Sequence, residues 1–504
     1  MRDLRREHFR IRRYARRYDK DEGKFVINIA YETATEITPR TVGVAEAFGL
    51  GIDQTRKFVL YDNAEFKIGP KDIVYITGDS GSGKSVLLKA IKRDLMEAGE
   101  PVADMADLKI DPDKPIIETV GETFEDALAL LSRVGLNDAY LFIRRYRELS
   151  DGQKYRYRIA KLIESDAQWW IMDEFCSTLD RDTAKIVAFN LQKQARRMGR
   201  AVIAATTHTD LFRDLAPTVH IHKRFCREVK VHYYPKNRAE ECSLAEEILV
   251  EEGTMKDYKA LAHLHYRSEG CPPPRKVFKL MRGEELCGVI VYGYPPSKVF
   301  GRRKAFGRSF SLREANRLFS NISRIVIHPK YRSIGLGVRL VKETLPKAGT
   351  PYVETVAVMA RYNPFFEKAG MVKIAEAGGD RTVKRAVQEL AEIGFKPYLL
   401  ASEHANLRRL REMSPEEVEE VRKVLLRVSG GYYRRLKGSG KPYMRRAEYE
   451  RFIEESSREV LAKVLRRLAV LSQTKVYLLW KREKDEVQPF KHAPSGSASG
   501  RGGP

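Results

Sequence analysis

The chain has 504 residues, too many for a single hydrophobic core, so two or three domains are expected. Charged residues make up 32% of the chain and the formal net charge is +24, which favours a polyanionic partner such as nucleic acid over a membrane or an acidic small molecule. No stretch approaches about 18 uninterrupted apolar residues and the five cysteines form no C-x-x-C pair, which argues against a membrane protein, a zinc cluster and a disulfide framework and predicts a cytoplasmic protein.

Residues 1–23 are predicted to form a basic N-terminal arm. Eight arginines between Arg2 and Arg17 alternate with Phe9, Tyr14 and Tyr18. Guanidinium groups contact phosphates and aromatic rings stack on bases, so this arm is a candidate for binding nucleic acid. A solvated charged face is the alternative.

Strands are predicted between residues 24 and 75, where FVINIAY and RKFVLYDNAEFKIG alternate apolar and polar residues. An aromatic side chain of this region is expected to stack on the adenine of a nucleotide. Phe48, Phe58 and Tyr61 are all candidates for that role.

A phosphate-binding loop is predicted in residues 75–86, YITGDSGSGKSV, between an apolar strand and a helix. Its G-x-x-x-x-G-K-S spacing lets backbone N–H groups and the helix N-terminus face the phosphates. The lysine neutralises phosphate charge and the following serine ligates magnesium. The predicted ATP-binding residues of the loop are Gly78, Asp79, Ser80, Gly81, Ser82, Gly83, Lys84 and Ser85.

Three further motifs follow in order. ELSDGQ places Ser150, Gly152 and Gln153 at the start of a helix. QWWIMDEF is an apolar strand that ends in Asp173 and Glu174, and VIAATTHTD is another that ends in His208. Together with the phosphate loop and the S-T-L-D turn at residues 177–180, this order resembles the ABC ATPase family.

The resemblance implies an α/β head domain over residues 24–232 that hydrolyses ATP. Ser85 and Asp173 would hold Mg²⁺, Glu174 would act as general base on the attacking water, and His208 would contact the γ-phosphate. In this family the signature residues Ser150, Gly152 and Gln153 complete the ATP site of a second copy. A homodimer is therefore implied.

Two departures from the family pattern argue against a transporter. Asp151 replaces a glycine of the usual L-S-G-G-Q signature. No glutamine occurs between Lys84 and Ser150, so the loop that normally couples to transmembrane domains lacks its namesake, and Glu118 is the candidate for that position.

Residues 233–376 are predicted to form a second α/β domain. Its expected elements are two amphipathic helices in residues 239–266, a hairpin turning near Gly283, a loop-rich basic insertion at residues 295–318, and a strand through Ile327. The sequence R-S-I-G-L-G at residues 332–337 then precedes a helix. With the strand YVETVAVM and the segment NPFFEKAGM, it resembles the GNAT acyltransferase family, whose R-x-x-G-x-G loop holds the pyrophosphate of acetyl-CoA on backbone N–H groups.

This resemblance implies a mixed α/β acyltransferase domain in which an amine attacks the thioester directly while strand N–H groups stabilise the oxyanion. Phe366 stands where many members have an acidic tyrosine, which leaves Tyr362, Glu354, water or a substrate group as the acid. The residues implied to bind acyl-CoA are Ile325, Val326, Ile327, Arg332, Ser333, Ile334, Gly335, Leu336, Gly337 and Asn363.

Residues 377–491 are predicted to be a mainly helical, basic extension that closes with the strand KVYLLWK. Ser414 and Glu417 have the spacing of a capping box. The Tyr- and Arg-rich segment 432–446 is either a nucleic-acid surface or a solvated linker, and residues 492–504 are expected to be a flexible tail. His220 and His222 alternate along a strand, and a structural role is favoured over metal binding.

The combined order resembles fusions of an ABC ATPase with an acetyltransferase in archaea, bacteria and phages, over residues 25–375. Three functions remain open. They are an ATP-dependent acyltransferase that acts on RNA or DNA, a protein or small-amine acetyltransferase with a regulatory ATPase dimer, and a nucleic-acid-binding ATPase with an inactive acyltransferase fold.

Overall fold

The computed structural model describes residues 9–33, 37–50, 56–225, 227–265, 271–358, 360, 362–378, 381–428, 445–471 and 474–482. The chain divides into two compact units, residues 1–291 with 324–343, and residues 292–323 with 344–504. The domain borders predicted near residues 232 and 376 both fall inside a unit. Arm residues 1–8, most of the segment 432–446 and the tail 492–504 lie outside the described residues.

The first unit begins with an antiparallel sheet rather than with a free arm. Its strands are β1 (Phe9–Asp19), β2 (Lys24–Thr33) and β3 (Arg56–Lys67), with helix α1 (Pro39–Ala47) between β2 and β3. The prediction of an arm over residues 1–23 was therefore wrong from Phe9 onward. The alternation of residues in β1 places Tyr14, Arg16 and Tyr18 on the face that packs against the hydrophobic core, where Arg16 pairs with Asp94, while Arg17 lies on the exposed face.

The central sheet of this unit has six strands in the order β5-β6-β7-β4-β8-β9, parallel except for the β8–β9 pair. The strands are β4 (Ile73–Gly78), β5 (Val102–Asp104), β6 (Trp169–Met172), β7 (Ala201–Ala205), β8 (Val219–Lys223) and β9 (Val229–Tyr233). The helices around them are α2 (Lys84–Glu97), α3 (Phe124–Arg133), α4 (Ala139–Phe142), α5 (Asp151–Glu164), α6 (Arg181–Met198) and α7 (Phe212–Leu215). Every residue of β4 is buried, as expected of a central parallel strand.

The remaining elements of the first unit lie beyond residue 239. They are α8 (Ser243–Glu246), β10 (Leu249–Glu252), α9 (Met255–Leu261), β11 (Pro274–Arg282), β12 (Glu285–Gly293), the end of β13 (Phe319–Ile327) and α12 (Leu336–Thr344). The hairpin turn at Gly283 is confirmed by β11 and β12. The first predicted helix of residues 239–266 was too long, because Leu249–Glu252 pairs with β11 as a strand.

The second unit combines a sheet with a helical cluster. Its elements are α10 (Phe300–Phe306), α11 (Leu312–Leu318), β14 (Tyr352–Ala357), α13 (Phe365–Lys368), β15 (Val372–Ala377), α14 (Arg381–Glu392), α15 (Glu403–Glu412), α16 (Pro415–Arg427), α17 (Arg446–Glu454), α18 (Arg458–Leu471) and β16 (Lys475–Lys481). Strand β16 lies between β14 and β15 and is antiparallel to both, so the C-terminal extension completes this sheet. The predicted capping box of Ser414 and Glu417 is confirmed.

The basic insertion at residues 295–318 is less irregular than predicted. It contains α10, which ends at Gly307 with φ of +68°, and α11, which begins with a capping box of Ser311 and Glu314. Phe306 at the end of α10 packs on Phe319 of β13 and Tyr352 of β14, and Phe310 between the two helices also packs on Phe319. This packing stabilises short helices that sequence periodicity does not reveal. Within the described residues, no helix has the length and apolar character needed to cross a membrane.

Candidate functional site

The phosphate-binding loop follows β4 and ends at the first residue of α2. Gly78 has φ of +147°, and a Cβ atom there would lie 1.7 Å from the Lys223 carbonyl oxygen on β8. Gly83 occupies the left-handed region with φ of +99° as the N-cap of α2. Both positions require glycine, one because the neighbouring backbone is so close and the other because of its conformation.

Two side chains of the loop are poised for an anion. The Lys84 ammonium donates hydrogen bonds to the carbonyl oxygens of Gly78 and Asp79, at 2.9 and 2.6 Å. Burial lowers the pKa of Lys84, which makes a nearby negative charge favourable. The Ser82 hydroxyl is buried and has no hydrogen-bond partner in the described part of the chain. An ATP phosphate would satisfy both groups.

The predicted magnesium ligands lie together. The Ser85 hydroxyl donates a 3.0 Å hydrogen bond to Oδ1 of Asp173, although the two residues are 88 positions apart in sequence. Ser85 lies in the first turn of α2, after the loop that follows β4, and Asp173 directly follows β6, at the edge where the carboxyl ends of the parallel strands meet. A hydroxyl and a carboxylate are the oxygen donors that Mg²⁺ prefers, so these residues fit the ion.

Glu174, the predicted general base, lies directly after Asp173 in a constrained turn. Its backbone has φ of +49° and its N–H donates to the Asp173 carboxylate at 3.0 Å. Its carbonyl accepts a 3.0 Å hydrogen bond from the Ser177 N–H, and its side chain is exposed. A non-glycine residue in this region is uncommon and costs about 1–3 kcal/mol, and such strain is concentrated at functional positions.

His208 lies just beyond β7. Its N–H donates to the Thr206 hydroxyl at 3.3 Å, and its carbonyl accepts a hydrogen bond from the Tyr75 hydroxyl on β4. The nearby Asp210 pairs with Arg181 of α6, with 2.9 Å between Nε and Oδ2. The backbone of His208 is thus attached to the strand that leads into the phosphate loop.

The signature residues Ser150 and Gln153 bond to each other. Ser150 is the N-cap of α5, and its side chain and that of Gln153 form a reciprocal capping box. A Cβ atom on Gly152 would lie 3.5 Å from the Thr183 methyl group on α6. The side chains of Ser150 and Gln153 are therefore bonded to the backbone at the start of α5 and not to the phosphate loop, and Ser150 is exposed.

The structure distinguishes among the aromatic candidates. Tyr61 is completely buried and donates its hydroxyl to the Gly83 carbonyl oxygen at 2.9 Å, so it supports the loop and cannot stack on a base. Phe58 is 44% exposed and lies 5.9 Å, ring centre to ring centre, from Phe225, which is 65% exposed. Phe225 was missed because no motif marks it, and only the β4–β8 pairing brings it beside the loop. Phe48 is also exposed, after α1.

Comparisons with known proteins show the family of this part of the chain. A family profile described as ABC transporter matches residues 61–124. The cytochrome c biogenesis ATP-binding export protein CcmA of Reclinomonas americana is 30% identical over 179 residues, which are 30% of this chain and 80% of the relative. The chain belongs to the ABC ATPase family.

Two other matches share less sequence identity with this chain. The alpha-hemolysin translocation ATP-binding protein HlyB of Escherichia coli O6:H1 is 29% identical over 178 residues, and the matched region is 25% of that protein. A solved dimeric ATP-binding cassette in a post-hydrolysis state with ADP and Pi is 18% identical, with a TM-score of 0.29, over 35% of this chain and 91% of that one. The ABC ATPase domain implies the use of ATP and Mg²⁺.

The R-x-x-G-x-G loop lies in the same compact unit as the ABC ATPase site. The Arg332 guanidinium donates to the Ile327 carbonyl oxygen at 3.0 Å and pairs with Asp138 at 3.4 Å. Ser333 has φ of +75° and Gly335 has φ of +89°. No atom lies within 4 Å of a Cβ built on Gly335, so this glycine is required by conformation and leaves open space beside the helix α12. Ile334 and Leu336 are buried, and Gly337 is half-buried.

Strand β13 contains the predicted oxyanion-binding backbone. Ile325, Val326 and Ile327 form its last three residues, while its pairing with β14 is restricted to Phe319–Asn321. Asn363 is half-buried before α13, and Tyr362 beside it is half-buried as well.

Glu354 is unsuited to act as the general acid. Its carboxylate is 1% exposed, is paired with the buried Arg302 and accepts a 2.9 Å hydrogen bond from the Tyr477 hydroxyl. Arg302, in the basic insertion of residues 295–318, cannot contact nucleic acid, because it is only 4% exposed and its guanidinium is paired with Glu354. Phe366 is buried and carries no titratable group.

The two histidines of β8 have a structural role. Both His220 and His222 contact the Thr77 hydroxyl, at 2.8 and 3.0 Å. Burial, with the nearby His222 and His232, lowers the pKa of His220 to about 4, so its ring is neutral at pH 7. Among the described residues, no group of three or more His, Cys, Asp or Glu side chains is arranged to hold a metal ion. Glu118 is exposed in a short turn, Ile116–Glu118, and its coupling role stays a prediction.

Proposed function

We propose that this ABC ATPase hydrolyses ATP as a homodimer and uses its second domain to transfer an acyl group from acetyl-CoA to an amine on nucleic acid. The ATPase part rests on family membership and on the Ser85–Asp173 arrangement. The acyltransferase part is supported by the loop of residues 332–337, which joins a strand to a helix and leaves open space at Gly335.

In ATP hydrolysis, the loop backbone and Lys84 would bind the phosphates, and Ser85 with Asp173 would hold Mg²⁺, which would supply positive charge that neutralises the phosphates. Glu174 accepts a proton from the attacking water, so that the hydroxyl oxygen forms a bond to the γ-phosphorus as the bond to the β–γ bridging oxygen breaks. His208 contacts the γ-phosphate. Ser150 and Gly152 of a second copy would cover the same nucleotide.

In acyl transfer, the amine nitrogen attacks the thioester carbonyl carbon, the C–N bond forms and the C–S bond breaks. The amine loses a proton and the departing thiolate gains one. Backbone N–H groups of residues 325–327 would stabilise the oxyanion. With Glu354 in an ion pair and Phe366 apolar, Tyr362 is the remaining side chain among our candidate acids. Because a single side chain among these candidates could supply the proton, the second candidate function is a nucleic-acid-binding ATPase with an inactive acyltransferase fold.

A nucleic-acid partner is supported by the net charge of +24 and by one face of the second unit. Helices α15 and α18 run antiparallel. In their three cross-helix contacts, a higher residue number on α15 is paired with a lower residue number on α18. These contacts are Glu403 with Arg466, Asn406 with Ala462, and Arg411 with Glu459.

In each helix, the residue that follows a contact residue is turned around the helix axis, away from the other helix. Because the two helices are antiparallel, this turn carries both residues toward the same side of the pair, which we call the outer face. Lys463 and Arg467 follow Ala462 and Arg466 by one position, and Arg408 follows Asn406 by two. All three are exposed and have no ion-pair partner in the part of the chain that the structure describes. Glu412 is the acidic residue at one end of this outer face. The nearby segment Pro397–Ala401 packs on α18 and presents Tyr398, which is 72% exposed. Unpaired cations beside an exposed ring suit a phosphate backbone with stacked bases.

The acyltransferase part is tested by calorimetry with acetyl-CoA. We expect the wild type to bind and Gly335→Glu not to bind, because the new side chain would fill the space beside the loop. Mass analysis of nucleosides from co-purified nucleic acid would then reveal the acylated base. A wild type that ignores acetyl-CoA would favour the inactive fold.

The nucleic-acid part is tested by measuring affinity for tRNA and duplex DNA against salt concentration. The triple variant Arg408→Gln, Lys463→Gln, Arg467→Gln should bind more weakly and lower the salt slope by about 0.9 per lost phosphate contact. The control is Arg385→Gln, Lys423→Gln, Arg446→Gln, which removes the same charge from cations paired with glutamates on the same unit. Equal losses in both variants would contradict a specific face.

A further inference from the structure

Two cations from beyond the ATPase sheet hold the first turn of α6. The Asp182 carboxylate pairs with Arg282 of β11 and with Lys330, which follows β13, each at 2.7 Å. Burial alone would raise the pKa of Asp182, but its hydrogen bonds to Lys330 and Arg282 hold that pKa below its usual value. The carboxylate is therefore charged at neutral pH and the pairing is fully formed.

This first turn is directly connected to the catalytic turn. Asp182 is eight positions after Glu174, and the segment between them is tightly folded. The Ser177 N–H donates to the Glu174 carbonyl at 3.0 Å, the Leu179 N–H donates to the Cys176 carbonyl at 3.3 Å, and Asp180 caps α6 through the Thr183 N–H. A shift in the start of α6 would consequently displace the backbone of the general base.

The segment that supplies Lys330 continues into the R-x-x-G-x-G loop. Tyr331 donates its hydroxyl to Glu285 at 2.6 Å and is fully buried. Arg332 pairs with Asp138 at the start of α4, and Ser333 accepts a 2.7 Å hydrogen bond from Asn190 of α6. The segment of residues 330–333 is thus attached to α6 at Asp182 and at Asn190. It is also attached to Asp138 at the start of α4.

We propose that Lys330 and Arg282 are positioning residues for ATP hydrolysis, which hold the turn carrying Glu174 through Asp182 and link it to the loop of residues 332–337. Neither cation touches the nucleotide-binding residues. Occupancy of the loop would shift Lys330 and change the hydrolysis rate. The link to acyl-CoA rests on the proposed function, whereas the effect on hydrolysis does not.

The test compares steady-state ATP hydrolysis by the full chain and by the double variant Arg282→Gln, Lys330→Gln. A small displacement of a catalytic group reduces turnover far more than binding, and about 1 Å can cost on the order of a hundredfold. We expect kcat to fall on the order of tenfold, with KM for ATP unchanged. The conservative variant Arg282→Lys, Lys330→Arg should retain most of the activity, because it keeps both charges.

The matched control is Arg213→Gln, Arg238→Gln, which removes two charges from exposed ion pairs of the same unit whose acidic partners, Glu246 and Glu240, lie outside α6. It should hydrolyse ATP at the wild-type rate. Thermal unfolding of all variants separates loss of folding from loss of positioning. An unchanged kcat in the Gln double variant, or an equal loss in the control, overturns the proposal.

A second arm adds acetyl-CoA. If calorimetry shows binding, the wild-type hydrolysis rate should change and the Gln double variant should not respond. Binding without a change in rate overturns the link to the loop. If the wild type binds no acetyl-CoA, the acyltransferase half of the proposed function fails, and the hydrolysis comparison still decides whether Lys330 and Arg282 position the turn.

Discussion

The Asn190 side chain on α6 donates a 2.7 Å hydrogen bond to the Ser333 hydroxyl in the R-x-x-G-x-G loop, across 143 positions of sequence. Ser333 has φ of +75°, a conformation that costs a non-glycine residue about 1–2 kcal/mol. The strained residue is therefore held by a helix that begins seven positions after the general base, within the same compact unit as the ATP site.

Asn190→Ala should weaken this attachment. We expect the first unit to lose about 1 kcal/mol of unfolding free energy, the usual net value of one hydrogen bond. Ser333→Gly should offset part of the loss, because glycine adopts positive φ without strain. Thermal unfolding of the two single variants and the double variant measures this. An additive result would mean that the strain at Ser333 is unrelated to Asn190.

Glu174→Gln should bind ATP normally and hydrolyse it at least about a hundredfold more slowly, because the attacking water loses its base while the phosphate loop is unchanged. The trapped ATP should favour the dimer. Nucleotide binding, phosphate release and size-exclusion chromatography with and without ATP are the measurements. Undiminished phosphate release would contradict the assignment of Glu174.

Gly78→Ala should abolish ATP binding, because the new Cβ would lie 1.7 Å from the Lys223 carbonyl oxygen and must push β8 away from the loop. Gly99→Ala, just after α2, is the control. Gly99 also has positive φ, but no atom lies within 4 Å of a Cβ built there. Binding of a fluorescent ATP analogue should be lost in the first variant and retained in the second.

Asp94 on α2 should make stability depend on pH. Burial, with the nearby Glu97, raises its pKa to about 6 from 3.8 in spite of the ion pair with Arg16, and its Oδ2 has no hydrogen-bond partner in the described part of the chain. The folded state therefore keeps this proton to higher pH than the unfolded state does. Stability is lost as pH rises from about 4 to about 6, by on the order of 2 kcal/mol.

Asp94→Asn should remove that pH dependence. As pH rises from about 4 to about 6, the thermal midpoint of the wild type should fall relative to that of the variant. A difference between the two midpoints that is constant with pH would contradict the raised pKa of Asp94. Glu97→Gln is a suitable comparison, because Glu97 shares Arg16 but its side chain is 62% exposed.

The motifs of the ATP site were predictable from the sequence, because each is a short run of residues that follows an apolar strand or begins a helix. Gly78, Lys84, Ser85 and Asp173 lie where their spacing and flanking strands predict. The loop of residues 332–337 likewise joins a strand to a helix as predicted, while its acyl-CoA binding stays a prediction. The local rules of strands, caps and phosphate loops act over a few residues, and a single sequence contains that information.

Contacts between distant segments were decided only by the tertiary structure. Arg302 looked like a basic surface residue and is buried against Glu354, and the supposed N-terminal arm is a strand from Phe9 onward. Phe225 lies beside Phe58 only because β8 pairs with β4. Whether an arginine binds a phosphate or an internal carboxylate depends on which acid the fold brings within about 4 Å, and residue type and local periodicity contain nothing about that distance.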